Sequence, residues 1–245
     1  MNDTTMPRLV TKAAGIGGAQ LGEADMAAIN ALALTPLDPS QVFAFKVMAA
    51  DNEADDRNFA PFDRAALDDL AALYPGRPLI KDHERSADNQ VGRVYAAEVI
   101  EDAGRTTYAG EPHAELVLRA YMLRTASNAD LIAEIEGGVK REASTSCSPA
   151  HAYCSVCGAD NVDEWCPHVP GETYDTDEGE KACLMRLSGA TDAYELSLVA
   201  VPSQPRAGVT KSAFAKPPRP QVAQDEAARV VALLASIELE AARAL

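Results

Sequence analysis

The sequence predicts a mainly β protein with a few helices, an α+β fold, followed by a detached helical tail. Three observations carry this. Short apolar runs of strand length recur between turn residues. Only a few segments show helical periodicity. Five prolines in a polar context (Pro202, Pro205, Pro217, Pro218 and Pro220) separate the last apolar run from a final amphipathic segment.

In chain order, residues 1 to 20 are polar and small, with little periodicity. Residues 21 to 34 are alanine-rich and predict a helix, which Pro36 and Pro39 would end. Val42 to Met48 reads as a strand, and the acidic stretch Asp51 to Asp56 as a solvated loop. Leu67, Leu70 and Tyr74 share one face of a helix over Arg64 to Tyr74, closed by Pro75 and Gly76. Strands are expected at Val91 to Ile100 and Leu116 to Met122. A helix over Ala126 to Ile135 would end at Gly137-Gly138. Further strands are expected at Val139 to Cys147, Ala182 to Leu187 and Glu195 to Val201, where Pro202 closes the run. Asp225 to Leu245 reads as a helix with Val230, Leu234, Ile237, Ala241 and Leu245 on one face. The divisions are an N-terminal extension over 1–39, a main domain over 40–212, and a linker with amphipathic helix over 213–245.

The chain has 245 residues, 47% of them hydrophobic, enough for a sizeable core. Its formal net charge of -15 denies it the basic footprint of a backbone-driven nucleic-acid binder. No run of eighteen apolar residues offers a membrane-spanning helix, and the N-terminus lacks the long apolar core of a secretory signal. Five cysteines are an odd number, and their clustering fits a metal site in a reducing compartment better than a disulfide framework.

The segment CSVCGADNVDEWCPHVPG is the strongest local pattern. Cys154 and Cys157 form a C-x2-C pair, and Gly158 permits the turn that aims two thiolates at one ion. Cys166 and His168 add two more ligands. Three thiolates and one imidazole complete a tetrahedral set for structural Zn2+, with no position left for substrate. Its expected task is to hold a long loop that lacks a core. Cys147 and Cys183 are alternative fourth ligands, or small buried hydrophobes on flanking strands.

Of the four histidines, His168 belongs to this set, while His113 and His151 sit in polar, loop-like surroundings. His83 follows the apolar Pro78-Leu79-Ile80 and lies between Asp82 and Glu84. The hydroxyl-rich run Ser144-Thr145-Ser146-Cys147-Ser148 is a second candidate, and the group Asp192-Ala193-Tyr194-Glu195 a third. A serine needs a base to become a nucleophile, and a carboxylate can orient that base. Cys147 is a further possible nucleophile. G-x-S-x-G, the usual hydrolase elbow, is absent.

These three places carry a family resemblance. Leu79 to Glu84 with Val91-Gly92-Arg93-Val94, then Gly138 to Ser144, then Asp192 to Pro202 and the trailing Gly208-Val209-Thr210-Lys211-Ser212 resemble the tailed-bacteriophage prohead (head maturation) serine proteases, similar in fold to herpesvirus capsid assembly proteases. The resemblance implies a small closed β-barrel of prohead-protease/assemblin type with the zinc knuckle inserted. It implies a serine endopeptidase with catalytic His83, Ser144 and Glu195, Ser146 rivalling Ser144 and Asp192 rivalling Glu195. The family glycine after the serine is replaced here by Thr145-Ser146. The implied substrates and partners are the phage scaffold and major capsid protein, with a possible homodimer, in the host cytoplasm within the immature prohead. Two other functions stay open: an inactive protease-like capsid assembly protein, and a zinc-knuckle module binding nucleic acid or protein.

Overall fold

The computed structural model describes residues 10–18 (as backbone only), 21–53, 57–107 and 109–201. Nine strands and three α-helices occur among them: β1 (Val10–Gly18), α1 (Glu23–Leu32), β2 (Val42–Asp51), α2 (Arg64–Leu73), β3 (Pro78–Lys81), β4 (Gly92–Thr106), β5 (Pro112–Leu123), α3 (Ala129–Glu136), β6 (Glu142–Cys154), β7 (Thr173–Thr176), β8 (Gly179–Ala182) and β9 (Met185–Leu198). None of these helices is long and apolar enough to cross a membrane.

Six strands form one contiguous sheet in the order β2-β5-β4-β3-β9-β6, and β7-β8 make a separate two-stranded sheet. All neighbours in the large sheet are antiparallel except β3 and β9, which run parallel with Leu79 opposite Leu196. The expectation of a small closed β-barrel of prohead-protease/assemblin type within residues 40–212 is corrected. Within those bounds the sheet is open, for β2 and β6 form no ladder with each other. Among the described residues β1 alone joins the two edges, pairing Ile16 with Val47 and Ala13 with Ser144, so the seven strands close only through a segment outside the expected domain. That strand lies in the segment expected as a polar extension. Its run of small residues has no strand signature of its own, and its place comes from the two edges it hydrogen-bonds.

β2 is buried along almost its whole length because both faces are covered. Phe43, Phe45 and Val47 join the main core with Leu79, Leu116, Leu118 and Leu196, onto which α2 lays Leu67 and Leu70. On the other face Val42 and Ala44 meet Ile29 of α1 with Tyr95 and Tyr121. α2 starts where Asp63 accepts a hydrogen bond from the Ala66 N–H at 2.9 Å, a side-chain N-cap. Gly92 is required by a close approach: a Cβ there would stand 2.3 Å from the Tyr121 carbonyl oxygen.

The runs expected as two short strands, Ala182 to Leu187 and Glu195 to Val201, belong largely to the single long strand β9. Two expectations about polarity are corrected. Asp51, Asn52 and Glu53 are buried rather than solvated. Asn52 is fixed between the Ala114 N–H and the Pro112 carbonyl, and Glu53 pairs with Arg105, so the ends of β2 and β5 cover these groups and supply their partners. His113 is likewise buried on β5, 3.6 Å from Asp51. The proline-rich exit after Pro202 and the helix expected over Asp225 to Leu245 lie outside the described residues.

Candidate functional site

Two centres emerge. The first lies where β6, β9 and the end of β3 converge. Ser144 is opposite Ser197 and Ser146 opposite Glu195 in the β6–β9 ladder. Strand alternation therefore puts all four side chains on one face. A register shift follows immediately, between Ser146 and Cys147, leaving Tyr194 as the extra residue. β3 runs parallel to β9 and delivers His83 to the same face.

The Ser146 hydroxyl donates to Glu195 Oε1 at 2.5 Å. His83 Nδ1 lies 2.7 Å from the same oxygen and 3.3 Å from Ser146 Oγ. An ionised carboxylate only accepts, so Nδ1 is the protonated nitrogen when both bonds form. Ser146 and Glu195 are buried, while the His83 side chain is 28% exposed and is the part of the cluster that meets solvent. Beneath it, the Tyr74 hydroxyl donates to the Ser146 carbonyl at 3.2 Å. Burial, with the negative side chains nearby, pushes the Tyr74 hydroxyl well above its usual range and keeps it a donor.

The structure thus brings together His83, Glu195 and Ser146, but not Ser144. Ser144 Oγ is buried and makes no hydrogen bond, and Glu195 Oε2 is likewise unpartnered. Asp192, the other candidate carboxylate, instead pairs with Arg77 at 2.8 Å. Cys147 points into the main core. Sequence reasoning missed Ser197, whose Oγ accepts the His83 N–H at 2.8 Å. Its two-residue spacing from Glu195 was the available signal, since it places both on one strand face. It also missed Tyr74 as a support, reading it only as a residue of the apolar face of α2.

The second centre is the knuckle. The ligand atoms of Cys154, Cys157, Cys166 and His168 all lie within 4.8 Å of one another, a set that can hold a metal ion. Gly158 adopts φ +77°, the left-handed turn expected of it. Its N–H donates to the Cys154 carbonyl at 2.8 Å, closing the C-x2-C loop. Asn161 steadies the far arm. Its carbonyl oxygen accepts from the Cys166 N–H and its amide lies 3.4 Å from Cys166 Sγ. Burial opposes ionisation of Cys166, but the His168 N–H and the Asn161 amide outweigh it and draw the thiol down to about 7. Cys183 stands 3.9 Å from Cys154, outside the mutual set, and burial among thiols pushes it up to about 12. The loop is also built by an unforeseen hairpin, β7-β8, and by Tyr174, whose ring meets His168 edge-on at 4.6 Å.

No protein-family model, no curated protein and no solved structure matches this chain. The resemblance to the prohead proteases is therefore corrected, and the chain is not assigned to that family. The physical reason lies in the motifs themselves. Leu79-Ile80 is a buried strand core, Gly92 answers a steric demand, and Glu195 to Leu198 is the buried end of β9. Each pattern is what a β structure asks for locally, whatever its ancestry.

Proposed function

We propose that the protein is a serine hydrolase acting on an amide or ester carbonyl, with Ser146 as nucleophile and a zinc knuckle bracing the adjacent loop. The observation that carries the reading is the convergence of Ser146, His83 and Glu195 within 3.3 Å of one another from three separate strands or their ends. Such a constellation is recognised by geometry and roles rather than by chain order. Ser146 Oγ bonds to the carbonyl carbon while its proton passes to Glu195 Oε1, to which the hydroxyl already donates, and the His83 Nδ1–H holds that oxygen in place. Collapse of the adduct breaks the bond to the leaving group, which takes that proton. Water then repeats the sequence on the acyl-enzyme. The orphaned Ser144 hydroxyl and Glu195 Oε2 leave further hydrogen-bonding capacity on the same face. The capsid substrates, the prohead compartment and the homodimer were implied by the family resemblance and are not carried into this reading.

For the metal, zinc suits the three-thiolate, one-imidazole set. Tetrahedral coordination at ordinary zinc distances separates a sulfur and a nitrogen ligand by about 3.6 Å. Cys154 Sγ and His168 Nδ1 stand 3.7 Å apart. All four positions are filled by protein, which supports a structural role.

A second reading, a knuckle that docks another protein, is favoured by one observation: Trp165 is 82% exposed, with Val162 and Val169 also exposed on the same loop. Asp160, Asp163 and Glu164 in that loop favour protein over nucleic acid. A fluorophosphonate probe decides between the two. Covalent labelling of the zinc-loaded protein, mapped to Ser146 and lost in Ser146→Ala, is expected of the hydrolase. A folded, zinc-loaded protein that takes no label leaves the docking reading.

A further inference from the structure

We propose that Ser197 and Asn89 are positioning residues that hold His83 in a strained left-handed turn, so that its imidazole reaches Glu195 and Ser146. The inference rests on the hydrolase reading and deepens it.

Asp82 and His83 have φ of +52° and +56°. Two successive residues with a Cβ in this region are disfavoured, and such conformations persist only where surrounding contacts over-determine them. Aspartate and histidine enter this region more readily than most residues with a Cβ, so local preference permits the turn, and the surrounding contacts fix it. These contacts are specific. The Asp82 N–H donates to the Leu198 carbonyl at 2.9 Å, continuing the β3–β9 pairing by one bond. The His83 N–H then donates to Ser197 Oγ, a side chain, at 2.8 Å. On the other flank, the Asn89 amide donates to the Lys81 carbonyl at 2.6 Å and to the Glu84 carbonyl at 2.9 Å, tying together the two ends of the turn. The Glu84 N–H to Lys81 carbonyl bond, at 3.0 Å, closes it.

The arrangement has a geometric consequence. Ser197 and Glu195 lie on the same face of β9, two residues apart. One strand face therefore fixes the backbone of His83 through Ser197 and its ring through Glu195. Ser197 and Asn89 are both buried, so neither bond competes with bulk water. Ser146 hydrogen-bonds to His83 and Glu195 and accepts from Tyr74, not to Ser197 or Asn89, so the action of these two runs through His83.

The test uses the full chain loaded with zinc and two readouts: the rate of Ser146 labelling by a fluorophosphonate, and the Nδ1 nitrogen shift of His83 in NMR. Ser197→Ala is expected to slow labelling about tenfold or more, as small misplacements of catalytic groups do. The Nδ1 resonance should move toward that of an imidazole free of a carboxylate. Ser197→Thr keeps the acceptor oxygen and should restore both. Asn89→Asp keeps the shape but loses both donated bonds, and should reproduce the Ser197→Ala loss; it carries the test if Ser197→Ala does not fold. A folded Ser197→Ala or Asn89→Asp with wild-type labelling and an unmoved Nδ1 shift overturns the inference. If the wild type takes no label at all, the hydrolase reading fails, and the Nδ1 shift alone decides the positioning: unchanged in both variants, it overturns it.

Discussion

Ser146 and Glu195 face each other across the β6–β9 ladder, and the Ser146 hydroxyl donates to Glu195 Oε1 at 2.5 Å. Both groups are buried, and the same oxygen also holds His83 Nδ1 at 2.7 Å. One carboxylate oxygen therefore organises both the hydroxyl and the imidazole. Removing either partner leaves a buried charge with less to bind, so function and stability are coupled at this oxygen.

Ser146→Ala should abolish fluorophosphonate labelling and also lower stability by about 1–3 kcal/mol, the usual cost of removing a hydrogen bond to a buried charged group. Urea unfolding of the variant measures the second effect independently of the first. A variant as stable as wild type would mean that Glu195 does not depend on this bond.

Ser144→Ala should behave in the opposite way. The Ser144 hydroxyl is buried without a hydrogen bond, so deleting it relieves a desolvation cost. Labelling at Ser146 is expected to persist, with stability unchanged or raised by up to about 1 kcal/mol. Loss of labelling in this variant alone would return the nucleophile to Ser144.

Chelation should loosen the loop that carries the knuckle while leaving the core strands protected. Amide exchange is expected to accelerate over residues 154–183 and to stay slow in β2 and β5. Among single variants, Cys157→Ser should lower bound zinc below one per chain, whereas Cys183→Ser should keep it. Zinc content by elemental analysis checks this. Equal loss in both would place Cys183 in the ligand set.

Asp25 gives a pH prediction. Burial pushes its carboxyl up, but the Gly22 N–H, the Arg119 guanidinium and the Tyr95 hydroxyl together outweigh burial and hold it below its ordinary value of 3.8. A lowered folded-state value means the unfolded chain binds the proton more readily. The stabilisation is thus present above about pH 3.8 and is lost as pH falls through the lowered folded-state value. Asp25→Asn should be less stable than wild type at neutral pH, with the gap closing in strong acid. Unfolding midpoints measured across that range test it, and a gap independent of pH would show that the carboxylate charge is not what ties α1 to the sheet.

The chain order of the elements was legible where local signals are strong. Leu67 and Leu70 announced α2, and the apolar runs announced β2, β5 and much of β9. β1 was not legible, because its small residues become a strand only by bridging two edges. Asp51, Asn52 and Glu53 were misread as solvated because their partners, among them Ala114 and Arg105, lie some fifty or more residues away.

The two centres divide along the same line. Cys154, Cys157, Cys166 and His168 lie within one short loop, where little chain must be ordered to bring ligands together, so their spacing pointed to the metal set, and the fold had only to set Cys147 and Cys183 apart from it. His83, Ser146 and Glu195 come from distant segments, and spacing carries no information about their approach. Whether Ser144 or Ser146 meets Glu195 depends on strand register and on a shift at Cys147. Because a two-residue step preserves the strand face, both serines fit the sequence pattern, and only tertiary pairing decided between them.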